Sequence, residues 1–245
     1  MKVDVGIIGG TGIGERLLTL GGKTLFVPTP AGVLRGQTIE VDGVTILIVG
    51  RHSAGHKVPP HKVNYRAMAH GMKQLGVVAC LSTAAVGCLR REWPAGTLVV
   101  CSDFLDFTYR SQTMFDQTVV HTDFTNPFGP ASRSALQTAA YRLGHEVRDG
   151  GVYLSSNGPR FETPKEISLY HQFGADLVGM TAATEAILMR EAGVDYGCLA
   201  IVTNLAAGIS DSPISHEEVL DEMKRSGPKA VEILLEAAKE LAGKA

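Results

Sequence analysis

Residues 3–12 read VDVGIIGGTG, and this stretch decides the fold. Residues 3–8 form a short run rich in β-branched side chains, closed by three glycines around Thr11. A run of that length and composition predicts a buried strand that ends in a tight turn. Similar apolar runs return at residues 44–49, 77–83, 98–101, 152–154 and 197–203. Helical patterns fill the spaces between them. Residues 62–75 place Val63, Met68, Met72 and Leu75 roughly on one face and stop at Gly76. Residues 132–143 stop at Gly144, residues 164–173 begin with a proline and stop at Gly174, and residues 182–192 stop at Gly193. Ser215 and Glu218 have the spacing of a capping box for a last helix. Its apolar stripe is Val219, Met223, Ile233, Leu234, Ala237 and Leu241, and Gly227-Pro228 is expected to kink or divide it. Strands alternating with helices predict an α/β domain whose central sheet is covered on both faces. No repeat or linker splits the chain, so one domain over residues 1–245 is expected. Residues 109–130 are polar and irregular, and a loop of that length is expected to serve function or an interface.

The chain has 245 residues, 44% hydrophobic and 20% charged, with a formal net charge of −2. That composition suits a globular protein with a substantial core, and no basic stretch is present to neutralise a run of phosphates. Nucleic acid is therefore not an expected partner. The four cysteines, Cys80, Cys88, Cys101 and Cys198, form no C-x-x-C pair, which argues against a zinc or redox motif. Three of them sit inside apolar runs as small core residues. The N-terminus enters a strand directly, without the apolar span of a signal peptide, and no run is long enough to cross a membrane. The expected setting is the cytoplasm.

Four clusters fall near the ends of expected strands, where open α/β sheets hold their ligands. The first is Gly9-Gly10-Thr11-Gly12, whose backbone can turn amides toward an anion. A dinucleotide-binding turn is the rival, but its third glycine would have to stand where the chain has Glu15. The second is Arg51-His52, with His56 and His61 behind. It reads either as a guanidinium fork for phosphate or as a basic surface loop. The histidines lack the spacing and the partner acids of a metal site. The third runs from Asn157 to Thr163. There Phe161 can lie on a flat base and Glu162 can accept from its edge. Alternatively, Phe161 is core and Glu162 an ordinary first-turn acid. The fourth joins Gly179-Met180-Thr181 and Glu185 to Thr203-Asn204. Asn204 offers a donor and an acceptor together, or simply caps a turn.

Taken in order, GGTG, RHSAGH with HKVNYRA, STAAVG, GPRFETPKEI, GADLVGMT with TEA, IVTN and SHEEVL resemble one family. It is that of the trimeric purine nucleoside phosphorylases and methylthioadenosine phosphorylases. The resemblance runs from Ile7 to about Leu220. It implies a three-layer α/β/α sandwich around a mixed central sheet, assembled as a homotrimer or a dimer of trimers. The implied reaction is reversible cleavage of a nucleoside by phosphate to free base and ribose 1-phosphate. Phosphate is a co-substrate, and no metal or organic cofactor takes part. Carried over by motif, Thr11, Arg51, His52, Ala85 and Thr181 look like the phosphate site, with Ala85 giving its backbone N–H. Phe161, Glu162 and Asn204 resemble the base pocket, and Met180 the methionine under the sugar. His121, in VVHTDFTNPFGP, resembles a residue that reaches across from a neighbouring subunit.

The Glu162 and Asn204 pair resembles enzymes for 6-oxopurines, because Glu162 can accept from the N1–H that hypoxanthine and guanine possess and adenine lacks. His216 resembles the histidine that bonds the 5′-hydroxyl. Inosine and guanosine are thus the expected substrates. Methylthioinosine or methylthioadenosine is the alternative, since Arg51-His52 and His121 look like the methylthio branch. An inactive nucleoside-binding protein on the same fold is the reading from another class.

Overall fold

The structure is a computed structural model, and it describes residues 2–53, 57–210 and 214–243. The opening run becomes strand β1 (Val5–Gly9), buried along its whole length because β4 and β5 flank it in parallel. A strand enclosed on both faces has no need of polar alternation, which is why it reads as an unbroken apolar run. Gly12 then takes a left-handed conformation and starts the short helix α1 (Ile13–Leu18). β2 (Lys23–Thr29), β3 (Gly32–Val41) and β4 (Val44–Gly50) form an antiparallel meander on that side.

The chain continues through α2 (Tyr65–Gln74), β5 (Ala79–Cys88) and β6 (Leu98–Asp106). After an irregular segment come α3 (Pro130–Arg142), β7 (Arg148–Ser155), α4 (Pro164–Gln172) and β8 (Leu177–Gly179). α5 (Ala182–Ala192), β9 (Asp195–Leu205) and α6 (His216–Ala242) complete it.

The strands make one mixed sheet in the order β2-β3-β4-β1-β5-β8-β7-β6-β9. β9 also returns to pair in parallel with β5, so β5, β8, β7, β6 and β9 close into a ring of pairings. Each face carries its own core, and successive residues alternate between them as the pleat demands. Ile7, Leu81, Val100 and Ile201 pack under α1, α3 and α6 with Leu136, Ile233 and Leu234. Ile8, Cys80, Val99 and Val202 pack under α2 and α5 with Met72 and Met189. The result is an α/β/α arrangement around a mixed sheet, as the resemblance implies. All four cysteines are free and buried. No described helix is long and apolar enough to cross a membrane.

Three features depart from the sequence expectations. β2 and β3 are half-exposed, and β8 has only three residues, so none shows an unbroken apolar run. α6 is not divided: it runs unbroken through Gly227-Pro228, with Ala230, Val231, Ile233 and Leu234 buried directly after the proline. Tertiary packing there outweighs the backbone hydrogen bond that proline removes. The third is a complete capping box on α4, where Thr163 Oγ1 accepts from Glu166 N (3.2 Å) and Glu166 Oε2 accepts from Thr163 N (2.7 Å). On α6 the Ser215 half is in place, accepting from Glu218 N at 3.2 Å.

The Thr163 cap follows Phe161 and Glu162 directly, so it fixes where their loop enters the helix. Thr163→Ala is expected to cost about 1 kcal/mol and to lower Tm by roughly 2–4 °C. An unchanged melting curve would remove the cap from this account.

Candidate active site

The site lies where β5 loses a neighbour. β1 pairs with residues 79–82 of β5, and β8 with residues 87 and 88. Residues 83–86, the TAAV of STAAVG, keep β9 on one edge and have no strand on the other. The Thr83 carbonyl accepts from Arg51 Nη1 at 2.9 Å, so it points toward this open edge. The Val86 carbonyl accepts from Thr203 Oγ1 at 3.2 Å, on the β9 side. Backbone groups alternate along a strand, so the Ala85 N–H is turned into the gap. A cavity of about 350 Å³ opens over it, large enough for a small organic ligand.

Thr11, Arg51, His52, Ala85 and Thr181 all line this cavity. The glycine turn makes the approach possible: a Cβ on Gly10 would stand 2.5 Å from Arg51 Nη1 and 2.7 Å from the Thr83 carbonyl. Thr181 is buried at the start of α5, and its side chain makes no capping bond to that helix. His52 Nδ1 lies 2.8 Å from the Val58 carbonyl. A carbonyl only accepts, so Nδ1 carries the proton. His56 lies outside the described residues, and His61 does not line the cavity.

Arg51 differs from the sequence expectation. Its fork is engaged by Glu185: Nε donates to Oε1, and Nη2 donates to Oε2 at 2.8 Å. Tyr196 OH donates to Glu185 Oε2 at 2.7 Å and sits 2.6 Å from Ser82 Oγ. Both charged side chains are 1% exposed. Burial works against the Arg51 charge, but Glu185 outweighs it and holds the guanidinium above its ordinary range. Three of the five guanidinium donors are thus used inside the protein, and one N–H on each Nη remains for a ligand.

Phe161, Glu162, Met180 and Asn204 line the same cavity. Ser156 Oγ donates to Glu162 Oε1 at 2.5 Å. Burial raises the Glu162 carboxyl above its usual value, with the Ser156 bond opposing the rise. Phe161 is 40% exposed, a ring left partly uncovered at the cavity. Gly158, at φ +61°, lies so close to Met180 that any Cβ would strike its sulfur. Asn204 is set by a register shift in β9, where Val202 faces Val86 but Asn204 faces Gly87, leaving Thr203 extra. Such irregularities re-aim side chains next to active sites. The single Thr203 Oγ1 proton, shared with the Val86 carbonyl, also faces Asn204 Oδ1 (2.9 Å), and Asn204 Nδ2 donates to the Leu205 carbonyl (2.9 Å). The amide is held from both sides, with one N–H and one lone pair left for a ligand.

His216, in the first turn of α6, lines the same cavity beside Ile214 and Val219. His121 does not: it is exposed on the irregular segment of residues 107–129. Sequence reasoning missed Ser156, Tyr196 and Lys57, the last of which also lines the cavity. Ser156 stands two residues before the GPRFETP motif and carried a positional signal. Tyr196 lies in an apolar run and carried none. Among the described residues, no group of three or more His, Cys, Asp or Glu side chains is arranged to hold a metal ion.

Comparison with known proteins identifies the family of the chain. The family model described as the Phosphorylase superfamily matches residues 4–239. A Moorella thermoacetica protein named "Probable 6-oxopurine nucleoside phosphorylase" is 45% identical, over 95% of this chain and 91% of that protein. A Methanopyrus kandleri protein named "Probable S-methyl-5'-thioinosine phosphorylase" is 42% identical, over 94% and 90%. Among solved structures, methylthioadenosine phosphorylase from Schistosoma mansoni, in complex with adenine, superposes with a TM-score of 0.91. It shares 32% identity, covering 100% of this chain and 93% of that one. The chain belongs to the Phosphorylase superfamily. It is an enzyme, a pentosyltransferase.

Two expectations follow. Arg51→Ala leaves Glu185 buried without its counter-charge and is expected to destabilise by about 3–5 kcal/mol. Urea unfolding within about 0.5 kcal/mol of the parent would mean that the pair is not the anchor described. Glu162 has a raised folded-state value, so its ionisation costs stability as pH rises through the carboxylate range. Glu162→Gln removes that cost. The variant should be more stable than the parent at pH 7, with the difference vanishing below about pH 4. A variant less stable at pH 7 would contradict the burial argument.

Proposed function

We propose that this enzyme cleaves the N-glycosidic bond of 6-oxopurine nucleosides, inosine and guanosine, with phosphate, giving free base and ribose 1-phosphate. The observation that carries the reading is the placement of Glu162 and Asn204 in one cavity with the open edge of β5. At one end, the Ala85 N–H, Thr11, Thr181, His52 and the spare Arg51 donors receive phosphate. The Arg51–Glu185 pair is neutral overall, so phosphate is held chiefly by oriented donors. At the other end Glu162 accepts from the purine N1–H and Asn204 bonds the 6-oxo and N7 edge, while Phe161 lies against the ring. Met180 packs under the sugar, and His216 bonds the 5′-hydroxyl.

A phosphate oxygen forms its bond to the anomeric carbon as the bond to the base nitrogen breaks, and that electron pair leaves with the purine. Positive charge grows on the sugar, where the phosphate anion offsets it. Negative charge grows on the purine edge, where the spare Asn204 N–H awaits it. A donor aimed at charge that develops only in the transition state affects rate more than ground-state binding. Phosphate is a co-substrate, and no metal or organic cofactor is assigned. The setting is cytoplasmic. The assembly is a homotrimer or a dimer of trimers, with His121 reaching a neighbouring subunit's cavity.

A second reading is 5′-methylthioinosine, which keeps the same base. Ile214 and Val219 line the cavity beside His216 and suit an apolar 5′ substituent. The name of the Methanopyrus kandleri relative supports it too. Methylthioadenosine fits less well, since adenine has no N1–H for Glu162 to accept.

The test is release of free base from inosine, guanosine, adenosine, methylthioinosine and methylthioadenosine, each with and without phosphate. Phosphate-dependent cleavage of inosine or guanosine above the rest is expected. Preference for methylthioinosine would transfer the 5′ assignment to Ile214 and Val219, and inactivity on all five would favour a binding protein. Asn204→Asp is expected to move the inosine-to-adenosine ratio toward adenosine by at least tenfold, about 1.4 kcal/mol. An unchanged ratio would free Asn204 from base selection.

A further inference from the structure

Arg110 belongs to the irregular segment after β6, outside the motifs, and its guanidinium lies behind the cavity. Nη1 donates to the Met180 carbonyl at 2.9 Å and to Thr184 Oγ1 at 3.0 Å. Nη2 donates to the Asn157 carbonyl at 2.9 Å. The group also stands over the Tyr65 ring, 5.4 Å from its centre. Tyr65 OH donates in turn to the Pro60 carbonyl at 2.9 Å. Tyr65 and Thr184 are 2% and 1% exposed, and Arg110 itself is half-buried, so these bonds are partly shielded from water.

The partners belong to separate parts of the proposed site. Asn157 opens the loop that carries Phe161 and Glu162. Met180 is the residue assigned to the sugar, and its neighbour Thr181 to phosphate. Thr184 precedes Glu185 on α5. Pro60 lines the cavity near its mouth. Backbone pairing joins the loop to the Met180 segment where Ser156 N meets the Gly179 carbonyl; beyond that point Arg110 bonds both, together with Thr184, and meets Pro60 through Tyr65.

We infer that Arg110 is a positioning residue that sets the base loop, the sugar methionine and the start of α5 in one register. The inference rests on the phosphorolysis proposed above, but its structural part does not depend on the substrate. Only a planar fork reaches acceptors on two edges while stacking on an aromatic face. A lysine ammonium is compact and presents no such plane. Reacting groups misplaced by about 1 Å lose on the order of 100-fold in rate.

The experiment compares the parent, Arg110→Ala and Arg110→Lys in phosphate-dependent base release from inosine, with amide hydrogen exchange on all three. Arg110→Ala is expected to stay folded and to lose about 100-fold in kcat. A few millimolar guanidinium, far below denaturing levels, should restore at least tenfold, and Arg110→Lys should stay impaired. Exchange should rise together in residues 57–62, 156–163 and 179–182, and remain unchanged in β1 and β5. A folded Arg110→Ala with kcat and both KM values within twofold of the parent would overturn the inference. So would loss of activity without guanidinium rescue, or faster exchange confined to residues 107–116. Should Arg110→Ala not fold, Arg110→Lys decides: parent-like kinetics and exchange would overturn the inference. Should the parent release no base, the phosphorolysis reading fails on its own, and the exchange pattern still decides for or against Arg110.

Discussion

The buried pair between Arg51 and Glu185 is the interaction on which the site depends. Arg51 follows the end of β4 and Glu185 sits in the first turn of α5, 134 residues apart in the chain. A buried charge is tolerable only when its partner and hydrogen bonds are complete. Here the fork is bidentate, the third arm reaches the Thr83 carbonyl, and Tyr196 closes the carboxylate side. With Ser82 beside Tyr196, this network ties β4, β5, β9 and α5 together behind one wall of the cavity. Removing one charge leaves the other stranded, so the network resists partial rearrangement.

This arrangement leads to an open edge on β5. Arg51 bonds the Thr83 carbonyl, which otherwise would lack a partner where β1 ends, and the next outward-facing N–H is that of Ala85. Because Glu185 balances Arg51, the proposed phosphate site relies on directed donors around a neutral pair. Elsewhere, the extra residue in β9 turns Asn204 toward the cavity, and Thr203 together with the Leu205 carbonyl holds its amide. Ser156 does the same for Glu162. Glu162 and Asn204 are therefore each oriented by neighbouring groups before any substrate arrives. Such preorganisation removes reorganisation from the reaction step.

The parts of the fold legible in sequence are those with one physical signal each. β1 is enclosed on both faces and reads as an unbroken apolar run, and most helices stop at a glycine. β2 and β3 are half-exposed, and β8 is three residues long, so local pattern misses them. The proline does not divide α6, because its neighbours Ala230, Val231 and Ile233 are buried deeply enough to hold the helix together. In the site, Thr11, Glu162 and Asn204 stood out only as members of an ordered set of motifs, each being ambiguous alone. The Arg51–Glu185 contact was not legible, since spacing cannot show which acid a distant arginine meets. Arg110 and Tyr196 were hidden for the same reason: their partners are backbone carbonyls and side chains brought near only by the closed ring of strands.

The central claim is that one cavity holds phosphate over the open edge of β5 and a 6-oxopurine between Phe161, Glu162 and Asn204. A crystal structure of the protein with hypoxanthine and phosphate tests it most directly. The account predicts phosphate within hydrogen-bond distance of the Ala85 N–H, Thr11 and Thr181, and the purine N1 against a Glu162 oxygen with Asn204 on its 6-oxo and N7 edge. Phosphate bound elsewhere, or a base whose N1 faces away from Glu162, would contradict it.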